Sequence, residues 1–304
     1  MNKVVIKASE IAQFLDAPLH GPNIDLFAPR SLDNVAPNSV VFVHRARPGA
    51  IDKVNATPNV MAIVTDTLDI TFLRTYVTVK NARLAFAKVL GRFFSAAPSS
   101  RGIASTAVIG KHVKLGEGVS IGEYSVIEDD VQIGPHTRIQ HHVVIARGSV
   151  VGANCVVMSH CVIGEDGFGF MYDENRRPIR FPHIGHTEIS DNVEIGCFNA
   201  IPRAALDKTE VGEGTKTGDF VQIPHNARVG RNCLLAAYAK VGSGAVLEDE
   251  VFMGVRSSTR ENVRVGRRAL IGQGAVVLND VPERAVMAGV PAKYLRDRGQ
   301  EGGF

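Results

Sequence analysis

The sequence is poor in net charge, in cysteine and in long apolar runs. Across 304 residues the 34 Lys and Arg nearly balance the 31 Asp and Glu, leaving +3, so there is no electrostatic footprint for nucleic acid. No stretch of eighteen apolar residues is available for a membrane span. The opening MNKVVIKASEIAQFL is too polar for a secretory signal, and a soluble cytoplasmic protein is expected. The length allows more than one domain.

What is present is a beat. From Ile103 an aliphatic residue falls on every sixth position: Ile103, Ile109, Leu115, Ile121, Ile127, Ile133, Ile139, Ile145, Val151, Val157, Ile163. At 45% hydrophobic content such a run arises by chance only about once in several thousand trials, and a short fixed period marks a repeat architecture. Two residues before each beat sits a small or β-branched residue, among them Val113, Val131, Thr137, Cys155 and Cys161. Neither the 3.6 period of a helix nor strand alternation gives a six-residue repeat. Three short strands wound into a triangular coil do, with about 18 residues and a rise of about 4.8 Å per coil. The beat returns at Ile189, Ile195 and Ile201, skips four residues, and holds from Val211 to Val277. About nine coils would stack to roughly 40 Å. Cys155, Cys161 and Cys233 occupy the small inward slot, which favours reduced, buried packing thiols over disulfides or metal ligands.

Residues 1–97 carry no beat and read as a small α/β domain. Strands are predicted at Val4 to Lys7, Val40 to His44, Val60 to Thr65 and Tyr76 to Lys80, with a helix from Glu10 to Leu15 capped by Ser9. Asn81 caps a second helix whose Leu84, Ala87, Leu90 and Phe94 share one face and would dock the domain. AAPSS, Ala96 to Ser100, reads as a linker. The β-helical domain is expected over 101–282, and 283–304 forms a short C-terminal tail. After Gly164 comes a segment too long for a turn, EDGFGFMYDENRRPIRFPHIGH. Its Phe168, Phe170, Tyr172 and Phe181 argue for order, since aromatic rings seek burial, and the loop is expected to pack over a groove.

Within the second ladder His225 stands two residues after Ile223, at or near an outward corner. Imidazole titrates near neutrality, so there it would serve as a proton acceptor; a solvated surface histidine is the alternative. About one coil further on, Ser243 lies between Gly242 and Gly244. Its backbone amide is a candidate oxyanion donor, because flanking glycines let a ligand approach the chain closely. The alternative is a tight corner and nothing more.

At these residues the chain resembles a known family. The six-residue repeat is similar to that of bacterial hexapeptide acyltransferases, whose fold is a mainly β, left-handed parallel β-helix. GEDGFGF, FPHIG, VEIG with AALDKT, and VQIPHN occur in the order seen in the N-acyltransferases of lipid A biosynthesis that act on UDP-3-O-acylglucosamine. ASEIAQFL, SLDNVAPNSVVFV and NARLAFAKVLGRFF in the N-terminal domain resemble the same family. The resemblance implies that His225 is the general base for acyl transfer from a thioester to an amine, and that the enzyme is a homotrimer. It also implies that the N-terminal domain binds a nucleotide sugar, with Phe42 stacking on the base. Phe168, Phe170 and Asn226 are taken as substrate-binding residues, and Asp219 as the group that orients His225.

The departures carry weight. The family's second functional histidine falls on Asn262, its aspartate before the catalytic histidine falls on Gly218, and its uridine-loop asparagine and tyrosine fall on Arg45 and Pro48. The ending AGVPAKYLR looks like that of coenzyme A-dependent hexapeptide acetyltransferases, in which Gly289, Pro291, Ala292 and Lys293 would lie along the pantetheine groove. The leading expectation is therefore transfer of a short acyl group, acetyl from acetyl-CoA, to a nucleotide-linked amino sugar for cell-surface polysaccharide synthesis. The alternative is the lipid A N-acyltransferase, using a hydroxyacyl carrier protein. A purely structural solenoid stays open as a third reading. No metal is expected: His136 and His141 have a zinc-like spacing, but no third histidine lies two coils earlier near Ser100.

Overall fold

The computed structural model describes residues 5–45, 47–68, 74–95 and 102–297. The chain divides into two compact units, Met1–Pro98 and Ser99–Phe304; the expected linker at 96–100 lies outside the described residues.

In the first unit, β1 (Ile6–Lys7) pairs antiparallel with β2 (Asp25–Leu26). The strands β3 (Ala28–Pro29), β4 (Ser39–Val43), β5 (Val60–Thr65) and β6 (Thr75–Val79) form a parallel sheet in that order. SVVFV and VMAIVT are almost continuously apolar, which suits central strands covered on both faces. The helices are α1 (Ala8–Phe14), α2 (Pro48–Ala56) and α3 (Ala82–Val89). The expected cap Ser9 lies inside α1, where its N–H donates to Asn23 Oδ1 at 3.0 Å; the helix starts earlier because the Glu10 carboxylate reaches back to Lys7 N–H at 2.8 Å. Asn81 does cap α3, accepting from Leu84 N–H at 3.0 Å. The buried face of α3 is Ala82, Ala85 and Val89, whereas Leu84 is 52% exposed. Two alanines let the helix approach its own sheet more closely than the larger leucines of the expected face would.

The second unit is a three-faced parallel solenoid. Each strand is two residues long in most coils and pairs with the strand 18 residues on, as Val126 and Ile127 do with Val144 and Ile145. The every-sixth aliphatics point inward and form one continuous core from Val119 to Ala285. Ile103 and Ile109, in the first coil, remain 48% and 37% exposed because a coil stacks on one side of them only. Polar residues in the inward slots find partners: Ser125 Oγ donates to Gln140 O at 2.7 Å and Thr137 Oγ1 to Gly152 O at 2.6 Å. The buried cysteines are free, and burial pushes the thiols of Cys161 and Cys233 up to about 12 and about 11.

Two corners of the coil differ in kind. At the corner entering the first face, Tyr124, His142, His160, Phe198, Phe220 and Tyr238 repeat once per coil, each with φ between 56° and 64°. Their rings stack at centroid spacings of 5.2, 4.9, 4.8, 4.8 and 4.9 Å, and Arg256 ends the column over Tyr238. At the corner leaving the same face the repeat is broken twice. Val151 pairs with Ile189, and Ile189 with Val211, so that segments 164–185 and 202–207 are extruded there. A hairpin of Ala285–Ala288 and Lys293–Asp297 finishes the third face.

Candidate active site

His225 stands on the broken corner, half-buried, in a cavity of about 950 Å³, a size suited to a small-molecule ligand. Its Nδ1 lies 3.0 Å from Asn226 Oδ1. The same oxygen accepts the backbone N–H of Ala205 at 3.1 Å. An atom that accepts from a backbone N–H is the amide oxygen, so the ring nitrogen facing it must be the N–H donor. That fixes the tautomer: Nδ1 carries the proton and Nε2 keeps its lone pair.

The group that fixes the orientation of the His225 ring in the structure is thus Asn226. The expected orienter, Asp219, accepts the N–H of Cys197 at 2.8 Å, closing a turn at the aromatic corner, and does not line the cavity. Asn226 lines the cavity with its carbonyl oxygen committed to His225 and Ala205. The short insertion 202–207 thus takes part, since Ala205 holds the amide that holds the His225 ring.

Ser243 lines the same cavity. Its carbonyl accepts from Asn262 N–H at 2.9 Å, and among the described residues its own N–H has no acceptor. Some amides at the equivalent hexad position are capped by the next coil, among them Lys111 by Asp129 at 2.7 Å, Ala153 by Asp191 at 2.7 Å and Arg231 by Asp249 at 2.8 Å. At Ser243 the corresponding residue is Glu261, which lines the cavity instead. A free amide and an imidazole facing one cavity are groups that could serve an oxyanion and a proton.

The long insertion packs on His225, though not in the expected sense. Phe168 is 84% exposed and Phe170 40%; both line the cavity rim, but it is the glycines that pack. A Cβ on Gly167 would come within 2.8 Å of His225 Cδ2, and one on Gly169 within 2.6 Å of His183 Cε1. The Gly-Phe alternation reads as a strip with two imidazoles against its smooth side. Arg203 ties down the strip's root, donating from Nε to Gly164 O at 2.5 Å.

Residue pattern alone does not single out His183. It lines the cavity, is 5% exposed, and sets its ring 4.9 Å from that of His225 at 71°. Burial first, and then His225, hold its pKa below the usual 6.5, against an upward pull from Asp166. The only signal for it in the sequence is a histidine set among Phe181, Pro182 and Ile184.

The remaining expected residues lie elsewhere. Phe42, on β4, is half-buried against Phe86 at 4.9 Å and His44 at 5.5 Å. Arg45, Arg83 and Arg47 act on His44, whose pKa is lowered by packing of the ring and then by these guanidiniums. Gly289, Pro291, Ala292 and Lys293 form and follow the turn of the terminal hairpin. Ala292 N–H donates to Val276 O at 2.7 Å, and none of the four lines the His225 cavity. Among the described residues no group of three or more His, Cys, Asp or Glu is placed to hold a metal ion, and no helix is long and apolar enough to cross a membrane.

The bacterial transferase hexapeptide model, of six repeats, matches residues 112–147, 124–159 and 208–243. UDP-3-O-acylglucosamine N-acyltransferases from Methylobacterium sp. (strain 4-46) and Methylorubrum extorquens (strain PA1) are 38% identical over 135 and 134 residues. Those stretches are 44% of this chain and 38% of each relative's length. Among solved structures, the UDP-N-acetylglucosamine acyltransferase from Campylobacter jejuni superposes with TM-score 0.58 at 22% identity, covering 64% of this chain and 74% of that one. The Francisella novicida enzyme of the same name gives 0.59 at 24%, covering 64% and 70%; at these identities the likeness is one of fold. The chain carries hexapeptide repeats, folds as a left-handed parallel β-helix, and over 44% of its length is similar to N-acyltransferases of UDP-3-O-acylglucosamine.

Proposed function

We propose that the protein is an N-acyltransferase that moves an acyl group from a thioester onto the amine of a UDP-linked amino sugar. One observation carries this reading: a base of fixed tautomer, His225, shares a cavity with an uncommitted backbone donor, Ser243 N–H. In the reaction the sugar nitrogen attacks the thioester carbonyl while His225 Nε2 takes its proton. Ser243 N–H receives the oxyanion. As the C–S bond breaks, the imidazolium returns the proton to the departing sulfur, leaving an amide and a thiol. The site is read as one half of a cleft completed in a trimer of this chain.

The first unit, taken by itself, is read as a nucleotide-binding surface, where the Phe42–His44 stack offers a surface for a base and Arg45, Arg47 and Arg83 offer charge for a diphosphate. Exposed His44, rather than half-buried Phe42, presents the accessible ring. For the donor, the relatives turn the order of preference. They are named for UDP-3-O-acylglucosamine, while the four residues that pointed to coenzyme A belong to a hairpin turn outside the cavity. A hydroxyacyl carrier protein is therefore the first donor, and acetyl-CoA the second.

The test is a donor-by-acceptor assay of purified protein. UDP-3-O-acylglucosamine, UDP-glucosamine and a dTDP-amino sugar are each paired with hydroxyacyl carrier protein and with acetyl-CoA. Amide formation with the carrier is expected; formation only with acetyl-CoA reverses the donor, and none with any pair removes the reading.

A further inference from the structure

We propose that His183 is a second substrate-contacting imidazole of this site, a neutral hydrogen-bonding group that holds a hydroxyl of the acyl acceptor beside His225. The inference rests on the acyl-transfer reading above and goes beyond it, because it assigns a ligand group to a residue outside the motif that carries the base.

A neutral imidazole has one N–H donor and one lone-pair acceptor, and burying either without a partner is destabilising. His183 is 5% exposed, and neither ring nitrogen makes a hydrogen bond. The Phe181 backbone favours the charged form of the ring, ranking after burial, His225 and Asp166, but makes no hydrogen bond of acceptable geometry to it. Along the rod, buried polar side chains such as Thr137, Thr217 and Asn199 are engaged. Ser149 Oγ is also unpaired, but it is a single hydroxyl directly under Gly164 and does not line the cavity. His183 is different, because two polar atoms go unsatisfied on the wall that holds the base. Functional sites are where such violations are expected.

Geometry says what would satisfy the ring. His183 lines the cavity that holds His225 and Ser243, and its ring meets that of His225 edge to face at 4.9 Å. A group within reach of both rings is a near neighbour of the atom His225 deprotonates. On an amino sugar the near neighbour of the amine is a hydroxyl or hydroxyl-derived oxygen, which can accept the His183 N–H and, if free, donate to its other nitrogen. A charged His183 would oppose protonation of His225 during the reaction; burial, which disfavours the imidazolium, keeps that conflict from arising. Gly169 completes the arrangement, since any side chain there would push on His183 Cε1.

The test compares H183L, which keeps an apolar side chain of similar bulk, with H183Q, which keeps a donor and an acceptor. Binding of UDP-glucosamine is measured by calorimetry. Turnover is measured on UDP-glucosamine and on analogues each lacking one ring hydroxyl, with whichever donor the wild type uses. H183L is expected to weaken binding and raise KM at least tenfold with kcat changed less, while H183Q stays within about threefold. On one deoxy analogue the wild type and H183L should converge. A purely packing role predicts a lower thermal midpoint for H183L; the proposal predicts an equal or higher one, because two unpaired polar atoms are gone.

Turnover by the wild type that H183L matches on every acceptor overturns this inference and leaves the acyl-transfer reading standing. Sugar binding that depends on His183, with no acyl transfer from any donor, does the reverse. A uniform loss with a lowered midpoint, or no binding by the wild type, also overturns the inference.

Discussion

Two corners of one solenoid, joined by the same face, have been put to opposite uses. At the aromatic corner the repeat is unbroken, and six rings stand in register with interplanar angles of 15° or less. At the other corner the repeat is interrupted twice, and its two histidine rings meet at 71°. The first arrangement is a consequence of translation: a residue at a fixed place in each coil repeats at the strand spacing, which is close to the contact distance of stacked rings. It also offsets an unfavourable backbone, since bulky side chains rarely take positive φ. The second cannot arise by translation. Translated copies make parallel stacks, whereas a site needs unlike groups converging on one point.

If that division is right, damage to the broken corner should cost activity and damage to the stacked corner should cost stability. The largest effect is expected for His225→Ala, with a fall in kcat of roughly 10²-fold or more at an unchanged thermal midpoint. Asn226→Ala should come next with about a tenfold to hundredfold loss, because the imidazole is freed to adopt the wrong tautomer. Its signature is a changed pH–rate profile, whereas loss of a substrate ligand would raise KM alone. Gly167→Ala would force a methyl onto His225 Cδ2 and is expected to lower kcat/KM about tenfold; the overpacking itself costs about 1–3 kcal/mol. A substitution on the other corner, Phe220→Ala, removes two ring contacts at 4.8 and 4.9 Å. It should destabilise by about 1–2 kcal/mol in chemical unfolding, with kcat/KM near wild type. A large activity loss there would erase the contrast.

The smallest effect concerns protons. Burial and His225 hold the His183 pKa below 6.5 in the folded chain, opposed by Asp166, while the unfolded chain titrates at its ordinary value. Between the folded value and about 6.5 the unfolded state binds more protons, so stability rises with pH through that window and falls as the solution is acidified through it. H183L should flatten the acid side of the midpoint-against-pH curve, and a curve identical to wild type would show that the ring titrates normally.

Much of this was legible in the residues themselves. The hexad beat specifies which side chains face inward, and Val60–Thr65 and the Asn81 cap follow from local pattern. What local pattern misjudged is instructive. Leu84 looked like part of a buried stripe, yet the sheet it faces accepts the alanine side of α3 instead. The phenylalanines of GFGF looked like the packing residues, but the surface they would have packed on is occupied by two imidazoles, so the glycines turned inward. Asp219 is expected as a partner of His225 because it adjoins Gly218, where the resembled family has its aspartate, although it is engaged at the other corner of the coil.

The rod is inherent in the residue pattern, because a period of six with aliphatic side chains in register leaves one economical way to bury them. His225 stands out from that pattern too. The 18-residue coil also sets Ser243 over it, whereas His183 and Ala205 reach its ring only through the folding of the two extruded segments. Convergence of that kind depends on where each insertion leaves and rejoins the coil, and on which backbone groups the stacking leaves unspent; neither is written in any local stretch of residues.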